Sequence, residues 1–248
     1  MKRSRRAGVT MIEMVVAITL LSLLVLGMAI AIRVGIQAFT KTDAKLMDIR
    51  KIAGAQNILH QELEGLIPVL AMCGDNTPDS GFKAAFFQGE SASLRMVSGF
   101  SLQQGWRGQP QILELFVIPS DQGEGVRLVV NESLYTGYRG AAHFCTGVTY
   151  DATANAPLAH FIPVVAGPKS FVLADQLAYC RFSYFFPGSQ YPTVPPAWVT
   201  QWSAKGWPEA IRIEMAPSHP DPSRVQPITI TAPIYIRRDP EKKYEDTY

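Results

Sequence analysis

The chain has 248 residues, with 23 Lys and Arg against 21 Asp and Glu, and a formal net charge of +2. Four positive charges, Lys2, Arg3, Arg5 and Arg6, stand within the first eight residues; without them +2 less four leaves −2. Basicity is thus confined to a leader, aromatics are not interleaved with Lys and Arg, and a broad nucleic-acid-binding surface is excluded. About 180 residues beyond an N-terminal helix suffice for one compact domain.

The leader Lys2-Arg3-Ser4-Arg5-Arg6-Ala7-Gly8 is followed by Val9-Thr10-Met11-Ile12-Glu13 and then by an apolar run of about nineteen residues, Met14 to Ile32. That run is close to the roughly 20 residues a helix needs to span a bilayer. Positive charge on its N-terminal flank places that end in the cytoplasm and the remaining chain outside. Glu13 is a lone carboxylate at the front of the run. A bare charge at the edge of hydrocarbon is costly, so an acid there usually has a partner and a job. Three readings of this segment stand side by side. A secretory signal peptide would be cut near Ala29-Ile30-Ala31, but the run is long for that role and Glu13 interrupts its entry. A plain signal anchor gives no reason for Gly8 and Glu13 at this spacing. The third reading is a leader removed after Gly8.

Past Arg33 the helical pattern continues. Leu46, Ile49, Ile52, Ala53, Leu59, Leu63, Leu66 and Ile67 recur at steps of three and four, an apolar stripe. Lys41, Asp43, Lys45, Asp48, Arg50 and Lys51 fall mostly off it, and Gly65 with Pro68 gives the stop. The pattern predicts one helix from about Val9 to Leu66, roughly 87 Å long. Gly27, Gly35 and Gly54 are points where it could bend.

The rest reads as β structure. Leu94 to Phe100, Ile112 to Ile118, Val126 to Tyr135, Phe171 to Phe186, Ala210 to Met215 and Ile228 to Ile236 are apolar or alternating runs bounded by turn residues. The last two are expected to pair as antiparallel neighbours across Pro217 to Pro227, with Pro233 at an edge or bulge. Gly74 to Gly81, Asp151 to Pro168 and Pro187 to Pro196 read as surface loops, and Arg237 to Tyr248 as a charged tail.

Cys73, Cys145 and Cys180 face an oxidising space under this topology. One disulfide and one free thiol is the simplest count. Three pairings are possible, and Cys145–Cys180 is favoured because Cys180 sits in a predicted strand. Three reduced, buried thiols are the alternative. His60, His143, His160 and His219 are scattered without a metal-binding repeat, and no nucleophile elbow, P-loop or dinucleotide fingerprint is present. Asp75, Asn76 and Asp79 lack EF-hand spacing and read as a polar turn rather than a calcium site. Trp106, Trp198, Trp202 and Trp207 suit core packing and subunit contact better than a carbohydrate platform. No catalysis, metal or cofactor is expected.

The leader ending in Gly8, with Val9, Glu13 and the uninterrupted apolar helix, resembles the class III signal of type IV pilins and pseudopilins over the first forty or so residues. The resemblance implies cleavage after Gly8 by a prepilin peptidase and N-methylation of Val9, which stands where the family usually has an aromatic residue. It also implies that the Glu13 carboxylate faces the amino terminus of a neighbouring subunit. A narrower pattern runs from Phe171 to Tyr184, through Trp202, to Trp207-Pro208-Glu209-Ala210-Ile211-Arg212-Ile213. Together with Leu59-His60-Gln61-Glu62-Leu63 and Ile67-Pro68, it is similar to the minor pseudopilin J of type II secretion systems, with Cys145 to Pro168 as an insertion.

That resemblance implies an α+β pseudopilin fold, a long N-terminal helix packed on a mainly antiparallel β domain. The implied segments are a leader at 1–8, a transmembrane segment at 9–32, a periplasmic helix extension at 33–68, a globular domain at 69–236 and a tail at 237–248. The partners it implies are I- and K-like minor subunits, the major pseudopilin, the prepilin peptidase and the bacterial inner membrane, with no enzymatic activity. A W-like minor pilin of a type IV pilus is the alternative within the class. A membrane-anchored periplasmic enzyme or binding domain is the alternative outside it.

Overall fold

The structure is a computed structural model that describes residues 10–74, 81–101, 106–121, 123–151, 156–190, 193–218, 227–235 and 240, with the backbone alone at 41–53, 106, 107, 151, 156 and 157. It divides into two compact units, residues 1–50 and 51–248. Helix α1, Met11–Glu64, supplies the described part of the first unit and the start of the second. It ends where glycine and proline end the pattern. Gly65 N–H closes onto the Gln61 carbonyl at 2.9 Å, and Ile67 N–H and the Gly65 carbonyl then bond to Val97 and Gly99. A side chain at Gly65 would press on the Ser98 hydroxyl, so the close approach requires glycine.

The strands of the second unit are β1 (Leu70–Cys73), β2 (Phe82–Ala85), β3 (Gln88–Gly89), β4 (Ser93–Ser101), β5 (Trp106–Pro119), β6 (Val126–Leu134), β7 (Cys145–Asp151) and β8 (Ala156–Phe161). They continue with β9 (Phe171–Phe186), β10 (Ser189–Gln190), β11 (Thr193–Val194), β12 (Ala197–Val199), β13 (Ala210–Pro217) and β14 (Ile228–Pro233). A short helix α2, Tyr138–Ala141, and a 3-10 turn, Ala142–Phe144, lead into β7. The main sheet runs β14-β13-β9-β6-β5-β4-β3, with β12 also on β9, and its pairings are antiparallel. The six predicted runs are strands of this sheet, and the last two pair as expected from Met215↔Ile228 to Ala210↔Pro233.

The two faces of the sheet are covered by different layers. On one, Leu59, Leu63 and Leu66 of α1 join Leu94, Met96, Leu113, Leu115, Leu128, Val130, Phe182, Tyr184, Ile211 and Ile213 in the larger core. On the other, Val97 and Ile112 meet Ala71, Cys73, Ala84, Phe86 and Ala141, with Phe144, Val148 and Phe161 packed against them. This second layer contains the hairpin β7–β8. The Asp151–Pro168 stretch expected as loop therefore holds a strand, β8, paired with β7 from Cys145↔Phe161 to Asp151↔Ala156. Pro187–Pro196 likewise carries the small hairpin β10–β11. Gly74–Gly81 lies largely outside the described residues, as do 219–226 of the β13–β14 connection and most of the expected tail.

The disulfide expectation is corrected. Cys145 bonds Cys73, with Cα atoms 5.5 Å apart, and Cys180 is a buried free thiol. The reason is layer membership. Cys180 points from β9 into the core shared with α1, whereas Cys73 and Cys145 both belong to the opposite layer.

Beneath that layer a polar row crosses four strands in register: Gln88, Arg95, Glu114 and Asn131. Arg95 is the largest fully buried side chain among the described residues. Its Nε donates to Glu114 Oε1 at 2.7 Å, Nη1 to Gln88 Oε1 at 2.5 Å, and Nη2 to the Ile162 carbonyl at 2.9 Å. Asn131 Nδ2 donates to Glu114 Oε2 at 2.8 Å and to the Val165 carbonyl at 2.9 Å, while Ser170 Oγ donates to Asn131 Oδ1 at 2.5 Å. The Phe144 and Phe161 rings lie 5.3 and 5.6 Å from the guanidinium. Burial draws the Arg95 pKa below its ordinary value, and Glu114 and then Glu90 oppose that.

Tyr184 fastens the far corner of the sheet. It is buried, and its hydroxyl donates to the Glu90 carbonyl at 2.9 Å, with the Ser93 carbonyl at 3.2 Å. Its ring lies under Gly89, where an added Cβ would come within 2.6 Å of the ring carbon. Gly89→Ala is expected to destabilise the domain by about 1–3 kcal/mol, the usual cost of overpacking. Urea unfolding followed by tryptophan fluorescence would measure it.

Candidate functional site

Glu13 lies in the first turn of α1, and Gly8 and Val9 lie outside the described residues. Thr10 precedes the helix as its N-cap. The Glu13 N–H donates to Thr10 Oγ1 at 3.4 Å, and the Thr10 N–H donates back to Glu13 Oε2 at 3.5 Å. This is a reciprocal capping box, and a carboxylate here also faces the positive end of the helix dipole. Both contacts are long, so the cap holds the carboxylate weakly and leaves it exposed.

From Met11 to Ile32 Glu13 is the only ionisable side chain, and Arg33 closes the stretch. Those 22 residues rise about 33 Å at 1.5 Å each, against a hydrocarbon core of about 30 Å. Large apolar side chains are exposed along the whole stretch, from Met11 at 89% to Ile32 at 63%. The helix segment Met11–Thr40 is long and apolar enough to cross a membrane. Its few polar groups turn inward: Thr19 Oγ1 donates to the Val16 carbonyl at 2.9 Å and Ser22 Oγ to the Ile18 carbonyl at 2.7 Å. The segment is thus suited to anchor the chain in a membrane through one helix, with a globular domain C-terminal to it.

The other sequence candidates do not converge on chemistry. His60 pairs with Glu64 one turn on at 3.3 Å, and His160 Nε2 meets Thr149 Oγ1 at 2.6 Å; His219 lies outside the described residues. Among the described residues no group of three His, Cys, Asp or Glu could hold a metal ion, and Asp75, Asn76 and Asp79 fall outside them. Trp198 packs against Phe185 and under the Arg212 guanidinium, 3.8 Å from it. Trp202 packs against Phe87 and Phe186 and donates its indole N–H to the Gly206 carbonyl at 3.0 Å. Trp202 and Trp207 border a cleft of about 790 Å³ whose lining mixes Phe87, His160, Lys205 and Glu209.

Sequence reasoning missed three buried ionisable groups among the described residues, Arg95, Glu114 and Glu62. A single charge inside an apolar strand or stripe is the available signal, but it looks the same as a charge on a solvated face.

Residues 3–29 match the family model of the prokaryotic N-terminal methylation motif, which is typical of type IV pilin-like proteins. The match covers the leader from Arg3 to Gly8, then Val9 and Glu13. No curated protein matches the chain.

Proposed function

We propose that this chain is a J-like minor pseudopilin of a type II secretion system, acting near the tip of a short pseudopilus and supporting export of folded proteins. The observation that carries this reading is the coincidence of the methylation motif with a helix whose one apolar-segment charge, Glu13, sits loosely held in its first turn. In this reading a prepilin peptidase hydrolyses the Gly8–Val9 bond, and the freed amine of Val9 is methylated. The resulting ammonium pairs with Glu13 of a neighbour inside the bilayer. An unpaired carboxylate is costly in that setting, so docking relieves the cost and selects register. The exposed apolar helices then pack against one another.

The narrower J-like assignment is supported by the way Trp202, Pro208 and Glu209 of its matched pattern are tied to the main sheet. Trp202 N–H bonds to the Gly89 carbonyl at 2.8 Å, Glu209 N–H to the Phe185 carbonyl at 3.2 Å, and Pro208 is buried where β13 begins. The partners in this reading are I- and K-like minor subunits and the major pseudopilin. The anchor sits in the inner membrane with the domain in the periplasm, and the chain has no enzymatic role.

The first test is N-terminal peptide mass spectrometry on membrane-extracted protein from cells with and without prepilin peptidase. A methylated Val9 terminus that depends on the peptidase is the expected result. Glu13→Leu, as the sole copy, should leave a neighbour's ammonium unpaired and lower incorporation into the filament about a hundredfold or more, from the 3–5 kcal/mol such breakage costs. Secretion lost with piliation intact supports the proposal. Piliation lost with secretion intact selects a type IV pilus subunit instead, and both intact would remove the assembly mechanism.

A further inference from the structure

Glu62 occupies the last turn of α1 and is fully buried at 0% exposure. Neither of its carboxylate oxygens has a hydrogen-bond partner among the described residues. Among the described residues, the groups around it do not supply a counter-charge. From β4, Ser98 is uncharged; its hydroxyl lies against Glu62, donating to the Glu62 backbone carbonyl at 3.3 Å and accepting the Phe100 N–H at 3.2 Å. From β5, Gln111 and Leu113 stand opposite Ser98 and Glu132 in register and carry no charge; the Arg107 side chain, farther along that strand, lies outside the described residues. From β6 comes Glu132, a second carboxylate whose charge disfavours ionisation of the first. On α1 itself, His60 and Glu64 are exposed and paired with each other.

A charge so placed would be strongly disfavoured, whereas a neutral acid fits the site. We propose that the end of α1 is a proton-operated latch: Glu62 is held as the neutral acid while the helix lies on the sheet, and loss of its proton releases the last turns from β4, β5 and β6. Burial is the main cause that raises the Glu62 pKa from 4.5 to about 8, with Glu132 adding to it and the Ser98 hydroxyl opposing it. The sign follows from the two states. Below pH 4.5 the group is protonated whether docked or released, and pH has no leverage. Between 4.5 and about 8 the released helix sheds the proton and the docked one keeps it, so release grows about tenfold per pH unit. Above about 8 both forms are ionised and the effect levels off. Docking is therefore strongest in acid and weakens as pH rises to about 8.

The test uses the full chain in detergent micelles. Amide hydrogen exchange at Ile58–Leu66, corrected for the intrinsic rate, should lose protection about tenfold per pH unit between pH 5.5 and 7.5. Glu62→Gln, which keeps the shape and cannot ionise, should stay protected across that range, while Glu132→Gln, which removes a charge that raises the docked Glu62 pKa, should keep the pH dependence but level off at lower pH. Infrared difference spectra of the unmodified chain supply a second readout that needs no variant. A protonated carboxylic acid band should persist at pH 6 to 7 and titrate near 8. No such band at pH 6, or a Glu62→Gln profile that still falls tenfold per unit, would overturn the proposal.

Discussion

Arg95→Ala is expected to destabilise the domain by about 3–5 kcal/mol, the usual cost of removing one partner from a buried ion pair. The cost arises from what stays behind. Glu114 is 8% exposed and would lose the donor 2.7 Å from its Oε1, and the Gln88 side-chain oxygen and the Ile162 carbonyl would lose theirs. Phe144 and Phe161 would lose the flat cation they stack against, leaving a void between the sheet and the β7–β8 hairpin. Arg95→Lys should recover only part of the loss, because an ammonium cannot reproduce three directed contacts from one planar fork. Urea unfolding of each variant would measure the effect. Removing both charges with Arg95→Met and Glu114→Leu should cost less than Arg95→Ala alone, since no unpaired charge remains. A double variant worse than the single one would mean that the row contributes net stability rather than geometry.

Removing the Cys73–Cys145 bond is expected to cost about 4 kcal/mol on the chain-entropy account for a loop of this size, within a usual range of about 2–5 kcal/mol. The bond spans 72 residues and joins β1 to β7 within the layer opposite α1. The double replacement Cys73→Ser and Cys145→Ser, compared with the oxidised chain by thermal unfolding, measures the effect. The unfolding midpoint should fall by several degrees or more. Cys180 does not compete as a pairing partner. Burial pushes its thiol up to about 12, so the reactive thiolate is scarce as well as inaccessible.

The strands that could be read from sequence are those with an alternating or bounded apolar pattern. Ile211, Ile213 and Met215 alternate with Arg212 and Glu214 and are buried as that alternation requires. Strand β8 lacked such a signal, because Pro157, Ala159 and His160 after an alanine-rich stretch and before Pro163 read as loop, and its partner β7 is what makes it a strand. Arg95 was unreadable for a different reason. Alternation presumes that one face of a sheet meets water, and here an added layer covers that face, so an outward position became an interior one. The disulfide failed by the same route, since pairing depends on which layer a strand joins. Glu13 was legible because a carboxylate within twenty apolar neighbours is conspicuous in one dimension. Glu62 was not, because whether a helix charge is wet or dry depends on what the helix lies against.

The two coverings of the sheet also bear on descent. Along β4, Leu94 and Met96 belong to the core shared with α1, while Arg95 and Val97 lie beneath the other layer. Along β6, Leu128 and Val130 take the first role and Asn131 the second. Adjacent codons in one strand therefore answer to separate neighbours. A change in the layer carrying α2, β7 and β8 thus falls first on Arg95, Val97 and Asn131. The side that receives the helix can meanwhile keep its own record unchanged.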